Sequence, residues 1–330
     1  MTRDYTPLPR WKGGHWMTLY AWGNPRHFST LPRATPRFFD VAPGTRVLAH
    51  CHWQVRPWEH PTIILLHGLE SSSDAHYVRG ISDKGYAAGF NTVRLNQRNC
   101  GGTEALSDSL YHSGLTHDPL TVMRELIDVD GLTSFAVVGY SLGGNLTLKL
   151  AGDFGANPPK ELCAVCAVSP TMDLAECVDA LERPSNRIYQ RHFVRNLKKR
   201  MRRKIRAFPE KFSGRALPGI RTIREFDDAY TAPFHGFDGA SDYYHRASAM
   251  RVIDKITVPA LIISAADDPF VPPTPFRDPA VLQNPHVTVA LTPHGGHCGF
   301  VEARSGMYDG YWAEREVVEF LRQHCRNSNH

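Results

Sequence analysis

The stretch Gly-Tyr-Ser-Leu-Gly-Gly at residues 139–144 places Ser141 between glycines, directly after the apolar run 135–138. A serine hydroxyl is a weak nucleophile at neutral pH, so it must be exposed, oriented and paired with a base before it can attack a carbonyl carbon. A sharp turn from a strand into a helix exposes and orients the hydroxyl, and flanking glycines let the backbone pass without a Cβ clash. A Gly-rich packing turn is the alternative. Because the apolar side chains in 145–154 suit a helix packed on a sheet, the sequence favours a nucleophile elbow at Ser141.

A candidate acid lies downstream of the serine, after the apolar run 260–264. Two aspartates stand in that loop, Asp267 and Asp268, and a double aspartate is usually a solvated turn. The order serine, acid, histidine along the chain is the one that accompanies this kind of elbow. We predict that Asp268 is the acid and that Asp267 bonds the loop backbone.

A candidate base lies in the next loop, after the apolar run 287–291, where His294 and His297 flank two glycines. We predict that His297 is the base, because the glycines before it give the backbone the freedom to bring that ring towards the elbow. His294 follows a proline at the strand exit, and we expect it to be a structural or rim residue. Serine, acid and histidine at the ends of successive strands form the acid–histidine relay that nucleophilic catalysis needs.

Attack on a carbonyl also builds a negatively charged oxygen, which needs N–H donors already in position. One donor is the amide of the residue after the nucleophile, here Leu142. The other comes from the loop after an earlier strand, and the apolar run 62–66 followed by His-Gly-Leu-Glu indicates the amide of Leu69. These roles require neither a metal ion nor an organic cofactor.

The motifs together resemble the YheT-like branch of the α/β-hydrolases, also called the AB hydrolase 4 family. The resemblance rests on residues 67–72, 99–102, 267–269 and 295–297 and on the elbow at Ser141, and extends over nearly the whole chain through 14–18 and 242–244. It implies an α/β-hydrolase fold, a charge relay of Ser141, Asp268 and His297, and hydrolysis of carboxylic esters. The four-residue spacing from Asp268 to Pro272 is also similar to the acid loop of many α/β-hydrolases.

One position departs from the pattern of that family. The loop that often has Arg-Gly-Cys has Arg98, Asn99 and Cys100 in this chain. We expect Asn99 to alter the wall of the substrate pocket without changing the chemistry.

Strand-like apolar runs alternate with helical segments, which indicates parallel βαβ units. The predicted fold class is therefore α/β: an α/β-hydrolase fold with a mostly parallel, doubly wound sheet and an inserted helical cap. The expected parts are an N-terminal portion of the core over residues 1–170, a cap insertion over 171–247 and a C-terminal portion of the core over 248–330. The stretch 171–247 is too long for an ordinary crossover connection, and outside its central helix we expect it to be irregular and polar.

Composition is compatible with this reading, since 42% of the 330 residues are apolar and 22% are charged. The sequence has no run of about 18 consecutive apolar residues, and its first ten residues lack the apolar core of a secretory signal. Seven cysteines form no recognisable disulfide framework. Cys163 and Cys166 lie three apart in a predicted strand and so face opposite sides of it. We expect buried free thiols and a cytoplasmic protein.

The centre of the predicted cap, residues 193–208, combines an apolar helical face with a dense set of cations. The apolar residues are Val194, Leu197, Met201, Ile205 and Phe208, and the basic ones are Lys198, Lys199, Arg200, Arg202, Arg203, Lys204 and Arg206. We expect this helix to pack its apolar side on the body with its charges in water. The alternative is a surface that attracts anionic membrane or nucleic acid. A net charge of +5 is too small to favour nucleic acid.

Three classes of function remain open at this stage. The favoured one is a serine hydrolase that acts on a small-molecule or lipid ester through an acyl-enzyme intermediate. A second is acyl transfer, thioester hydrolysis or peptide cleavage by the same triad, because fold and triad do not fix the substrate. A third is a non-catalytic binding protein with this fold, against which the intact serine, acid and histidine count.

Overall fold

The computed structural model describes residues 3–9 and 12–325. An eight-stranded sheet has the order β1-β2-β4-β3-β5-β6-β7-β8, and it is parallel except where β2 pairs with β1 and β4. Its strands are β1 Thr35–Ala42, β2 Thr45–His52, β3 Thr62–Leu66, β4 Asn91–Leu95, β5 Phe135–Tyr140, β6 Leu162–Val168, β7 Ala260–Ala265 and β8 Val287–Thr292. The α/β-hydrolase architecture and the mostly parallel sheet expected from the sequence are confirmed.

Helices cover both faces of the sheet, so its central strands are apolar on both sides. In β3, Ile64 and Leu66 belong to the core cluster under α3 and α4, whereas Ile63 and Leu65 pack with residues of α2 and α11 on the opposite face. The helices are α1 Gly14–Gly23, α2 His76–Ala87, α3 His117–Asp128, α4 Leu142–Phe154, α5 Leu174–Glu182, α6 Arg187–Ala207, α7 Ile223–Phe226, α8 Ala232–Phe234, α9 Ala240–Ala247, α10 Pro279–Leu282 and α11 Trp312–His324.

The register of the parallel strands brings their carboxyl ends together at one edge. Leu66 of β3 lies opposite Gly139 of β5, and Val168 of β6 lies opposite Tyr140. The loops that follow β3, β5, β6, β7 and β8 therefore converge, which is where open α/β sheets bind ligands.

The connection between β6 and β7 carries the helices α5 to α9 above this edge. Outside its central helix the sequence suggested an irregular polar region, and this expectation is wrong, because short helices occupy much of it. Each of these short helices ends within a few residues of the next. None of them is long enough to show the repeated apolar spacing by which a helix is recognised in a sequence. None of the helices in the described residues is both long and apolar enough to cross a bilayer.

One expectation about the cysteines is also wrong. Cys163 of β6 forms a disulfide with Cys325, which directly follows α11. Cys163 and Cys166 do not bridge each other, as the strand geometry requires, and Cys166 is a buried free thiol. The pairing of Cys163 was not visible in the sequence because its partner lies 162 residues away.

Candidate active site

Ser141 stands between the end of β5 and the first residue of α4, with φ 55° and ψ −119°. A non-glycine residue rarely adopts positive φ, and such strain concentrates at functional turns. The turn is tight because α4 begins directly against β3: a Cβ on Gly143 would lie 2.5 Å from the carbonyl oxygen of Leu66. A side chain at position 143 would push the helix away from the sheet and move Ser141 with it.

Asp268 and His297 are in direct contact. The ring Nδ1–H of His297 donates to Oδ2 of Asp268 across 2.8 Å. The other carboxylate oxygen, Oδ1, accepts from the amides of Phe270 and Val271 at 3.1 and 3.0 Å. The Asp268 side chain is fully buried, so these bonds fix the carboxylate and, through it, the ring orientation of His297.

The pKa of His297 reflects this pairing. Burial by itself lowers the pKa, but Asp268 and the neighbouring Cys298 outweigh it and raise the pKa of His297 from 6.5 to about 10. The imidazolium that forms when His297 takes a proton is therefore stabilised by the carboxylate beside it.

The second aspartate and the second histidine form a separate pair nearer the surface. Nδ1 of His294 lies 3.2 Å from Oδ2 of Asp267, and the other oxygen of Asp267 accepts from the amide of Gly296 at 2.9 Å. The two aspartates thus contact two different histidines. Among the described residues, no group of three His, Cys, Asp or Glu side chains is arranged to hold a metal ion.

Three successive amides of the histidine loop donate to side chains from three different elements. The amide of Gly296 reaches Asp267 after β7, that of His297 reaches Oγ1 of Thr18 in α1 at 2.8 Å, and that of Cys298 reaches Oγ of Ser169 after β6 at 3.0 Å. Gly295 and Gly296 have φ 153° and 56°, which glycine adopts most readily. The backbone around His297 is therefore held from three sides.

Sequence reasoning assigned no role to Thr18. Its hydroxyl donates to the carbonyl of Gly14 at 2.6 Å while it accepts from His297. Helix α1 lies so close to the acid loop that a Cβ on Gly14 would come within 1.6 Å of the carbonyl oxygen of Asp267. The one available signal was that 14–18 belongs to the segments that carry the family resemblance.

The predicted oxyanion donors belong to the two loops that meet at Ser141, and Leu69 and Ser141 line the same cavities. Leu142 is the first residue of α4, where an amide has no acceptor within its own helix. The loop after β3 reaches the elbow, since a Cβ on Gly68 would lie 3.2 Å from Cβ of Ser141. The amides on both sides of Leu69 are bound, that of Gly68 to Oη of Tyr77 and that of Glu70 to Oη of Tyr111, both at 3.0 Å.

The cap is anchored to this same loop by a buried ion pair. Nε of Arg200 in α6 donates to Oε1 of Glu70 at 2.6 Å, and both side chains are at most 5% exposed. Tyr111 donates to the same carboxylate oxygen at 3.1 Å and stacks on the Arg200 guanidinium. The residue next to Leu69 is thereby bound to the cap as well as to the body.

The position that departs from the family pattern also binds the cap. Oδ1 of Asn99 accepts from Nζ of Lys204 at 2.6 Å, and Lys204 donates in addition to the carbonyls of Glu104 and Ser107. Lys204 is fully buried, and burial together with Arg200 lowers its pKa from 10.5 to about 7. Among the described residues, Asn99 lines neither cavity that contains Ser141, so any effect of Asn99 on the pocket wall is indirect, through its bond to Lys204 of α6.

Three of the seven cations expected in water are therefore engaged with the body. Arg200 and Lys204 are buried, and Nε of Arg203 donates to Glu104 at 2.6 Å. The apolar side of the helix does pack inward, with Val194, Leu197 and Met201 buried. Arginine and lysine have long apolar stems, so Arg200 and Lys204 can pack on the buried side of α6. A hydrophobic pattern assigns only apolar residues to that side.

Two cavities meet at Ser141. The larger, here called the site cavity, has a volume of about 330 Å³ and is lined by Ser141, His297, Leu69 and Phe270 together with residues of α1 and α6. The smaller, here called the inner pocket, has a volume of about 70 Å³ and is walled mainly by apolar residues of α5 and α6. Ser141 and His297 face the same cavity, and within the described part of the chain no hydrogen bond joins their side chains. Catalytic hydrogen bonds often tighten only when substrate is bound.

Comparison with known proteins agrees with this architecture. The family model described as the alpha/beta hydrolase fold matches residues 61–303. YheT from Escherichia coli (strain K12) is 32% identical over 96% of this chain and 93% of its own length. Phospholipase ABHD3 from Mus musculus is 30% identical over 73% of this chain and 59% of its own, and human monoacylglycerol lipase ABHD2 is 26% identical over 99% and 81%.

Solved structures show the same fold at low identity. The esterase Pf2001 of Pyrococcus furiosus superposes with a TM-score of 0.56 at 17% identity and covers 88% of this chain and 92% of its own. Est1E from Butyrivibrio proteoclasticus gives 0.55 at 18% identity, with coverage of 89% and 99%.

Proposed function

Because this chain belongs to the α/β-hydrolase family and to its YheT-like branch, we propose that it is a serine hydrolase that cleaves carboxylic esters. The observation that carries the proposal is the hydrogen bond between Asp268 and His297, because His297 lines the same cavity as Ser141, which occupies a turn with positive φ. The names of two relatives, a phospholipase and a monoacylglycerol lipase, support lipid esters as the substrate class.

In the proposed mechanism, Nε2 of His297 takes the hydroxyl proton of Ser141 while the serine oxygen attacks the carbonyl carbon of the ester. The carbonyl π electrons move to oxygen, and the amides of Leu69 and Leu142 stabilise the resulting oxyanion. The intermediate collapses as the C–O bond to the alcohol breaks, and His297 gives its proton to the leaving oxygen. An acyl-serine and a free alcohol result.

The second half of the cycle repeats these steps with water as the nucleophile. His297 removes a proton from water, whose oxygen attacks the acyl-serine, and then returns that proton to the oxygen of Ser141. The acid leaves and the free serine is restored. Asp268 transfers no proton in either half of the cycle, since its part is to hold the tautomer and orientation of the ring.

The proposal is tested by labelling with a fluorophosphonate and by turnover of a p-nitrophenyl ester. We expect the wild-type protein to be labelled at Ser141 and Ser141→Ala to remain unlabelled, with turnover lower by about three to six orders of magnitude. Labelling of the Ser141→Ala protein at wild-type levels would contradict the assignment. Product analysis with matched ester, thioester and amide substrates separates ester hydrolysis from the other reactions of the same triad.

A further inference from the structure

Four large apolar side chains are exposed on α1 and at the start of α6. Trp16, Leu19 and Trp22 recur at three-residue steps on α1 and are 64%, 42% and 67% exposed, and Ile188 at the start of α6 is 75% exposed. We call these four residues the outer face. Single exposed apolar residues are ordinary, but a contiguous group of this size marks a contact surface.

The outer face adjoins the site cavity. Leu19, Trp22 and Ile188 line that cavity together with Ser141 and His297. The ring of Trp22 packs edge-on against His192 of α6 at 5.8 Å between centroids, so α1 and α6 form one continuous rim. Whatever covers the outer face therefore also covers the path to Ser141.

A strongly basic groove adjoins the rim on the other side of α6. It has a volume of about 650 Å³, and its cationic lining consists of Arg183, Arg187, Arg191, Arg195, Lys198, Arg202 and Arg221. Among the described residues of the lining, Glu182 is the one carboxylate, and it pairs with Arg224. Within the described residues none of the seven cations forms a salt bridge, so the groove carries a concentrated and uncompensated positive charge.

The site cavity and the basic groove flank the exposed face of α6. Ile188, Arg191 and Arg195 follow each other at three- and four-residue steps along α6, and all three are exposed. Residues at this spacing share a helix face. One apolar residue of the site-cavity lining and two unpaired arginines of the groove are thus presented to solvent on the same face of α6.

We propose that the outer face and the basic groove together dock this protein on an anionic lipid surface, with the opening of the site cavity against the lipid. Tryptophan side chains insert at the boundary between headgroups and acyl chains, while arginines bind anionic headgroups. The unpaired cations favour an anionic lipid surface over an apolar protein partner, which would leave them without counter-charge. That the docked cavity receives a lipid ester rests on the proposed function, whereas the docking itself does not.

Docking is measured by flotation of the Ser141→Ala protein with vesicles, so that binding is read without hydrolysis. We expect it to bind vesicles of equal parts phosphatidylcholine and phosphatidylglycerol, to bind pure phosphatidylcholine vesicles much more weakly, and to dissociate in high salt. Replacing Arg187, Arg191 and Arg195 by glutamine should weaken binding to the anionic vesicles by about a hundredfold. Replacing Trp16 and Trp22 by alanine should weaken it by at least about tenfold.

Matched controls use exposed residues elsewhere on the molecule. Trp58 is 55% exposed and precedes β3, at the opposite edge of the sheet. Trp58→Ala, and glutamine at Arg124, Lys160 and Lys255, should leave vesicle binding unchanged. Thermal melting checks that each variant is folded.

Three results would overturn the proposal: absence of vesicle binding by the Ser141→Ala protein, equal losses in the rim and control variants, or a dimer that dissociates in the Trp16/Trp22 variant. The last result would assign the outer face to a second copy of the chain. Failure of docking with intact fluorophosphonate labelling of the wild type would leave the proposed function standing. Docking without labelling at Ser141 would refute that function alone.

Discussion

At the scale of single residues, Asp267 and Asp268 are adjacent in sequence but lie in different environments. Asp268 is fully buried; one carboxylate oxygen accepts from His297 and the other accepts from two backbone amides. Asp267 contacts the partly exposed His294 and accepts from one amide of the histidine loop. The first contact governs the ring that the proposed mechanism uses, and the second supports the backbone near it.

We therefore expect the two aspartates to respond differently to the same substitution. Asp268→Asn should lower kcat for a p-nitrophenyl ester by about 10⁴-fold, because the ring loses the acceptor that fixes its tautomer. His294→Ala should keep at least about a tenth of the activity, a change in barrier near 1.4 kcal/mol. Asp267→Asn is the matched control for Asp268→Asn, and a greater loss from Asp267→Asn would reverse the assignment.

The raised pKa of His297 leads to a prediction about pH. Below its pKa the ring is protonated and cannot accept the serine proton, so kcat/KM should rise with pH along a limb that lies above pH 6.5. In Asp268→Asn the carboxylate that raises the pKa is gone while burial, which lowers it, remains. Residual activity of that variant should therefore reach its plateau at lower pH than in the wild type. A limb at the same pH in both proteins would show that Asp268 does not control the titration of His297.

At the scale of elements, the site depends on pieces that contribute no reacting atom. Helix α1 supplies Thr18 to the amide of His297, and α6 supplies Arg200 to Glu70 beside Leu69. Both contacts join parts of the chain that are far apart in sequence, so the geometry of the reacting groups depends on how the helices pack.

Thr18 offers a direct measure of this support. Thr18→Val removes the acceptor for the amide of His297, and kcat should fall by about tenfold, as expected for loss of about 1.4 kcal/mol of positioning by one hydrogen bond. KM should change little, because Thr18 does not react with the ester. Thr18→Ser retains the hydroxyl and should restore the rate. Equal losses in both variants would indicate that the methyl group of Thr18 matters and the hydroxyl does not.

Lys204 links cap stability to pH. Its pKa is lowered to about 7 in the folded protein against 10.5 in the unfolded chain, so the unfolded chain binds more protons between these values. The free energy of unfolding of the wild type should therefore rise relative to Lys204→Met as pH increases from 7 to 10.5. Urea unfolding at several pH values measures the difference, and a constant difference would mean that the pKa is not lowered by burial. Taking the difference between the two proteins cancels the titration of His297.

The strands and the elbow could be predicted from sequence because each is a local pattern, an apolar run bounded by Gly, Asp or His. Tyr77 and Tyr111 could not, since each is an isolated aromatic residue whose hydroxyl becomes relevant only when the loop after β3 folds against it. Lys204 was misassigned for a related reason. A lysine surrounded in sequence by other cations has the pattern of a solvated helix face. The carbonyls of Glu104 and Ser107 offset the cost of burying Lys204, and the sequence pattern does not show that contact.

At the scale of the whole molecule, the disulfide joins the middle of the sheet to the far end of the chain. Cys163 lies in β6 and Cys325 follows α11, and the chain between them includes the cap and the acid and histidine loops. A covalent link across so long a loop restricts the unfolded chain, a stabilisation of about 3–5 kcal/mol.

The disulfide can be detected by counting free thiols, and it can be removed by substitution of Cys325. Alkylation of the unfolded, unreduced protein should modify five cysteines, and seven after reduction. Cys325→Ser should lower the free energy of unfolding by about 3–5 kcal/mol and make stability insensitive to a reducing agent. Modification of all seven cysteines without reduction would show that the pair is not oxidised in the isolated protein.

The packing of α1 on the histidine loop has a practical consequence for anyone who shortens this protein. The matched family region begins at residue 61 and ends at 303, so it holds Ser141, Asp268 and His297. Thr18 lies before it, together with the first two strands, and α11 lies after it. A protein truncated to those limits would retain the three proposed catalytic side chains and lose Thr18, which accepts from the amide of His297. Inactivity of that truncated protein would then say nothing about the chemistry, because the matched family model is shorter than the part of the chain that supports His297.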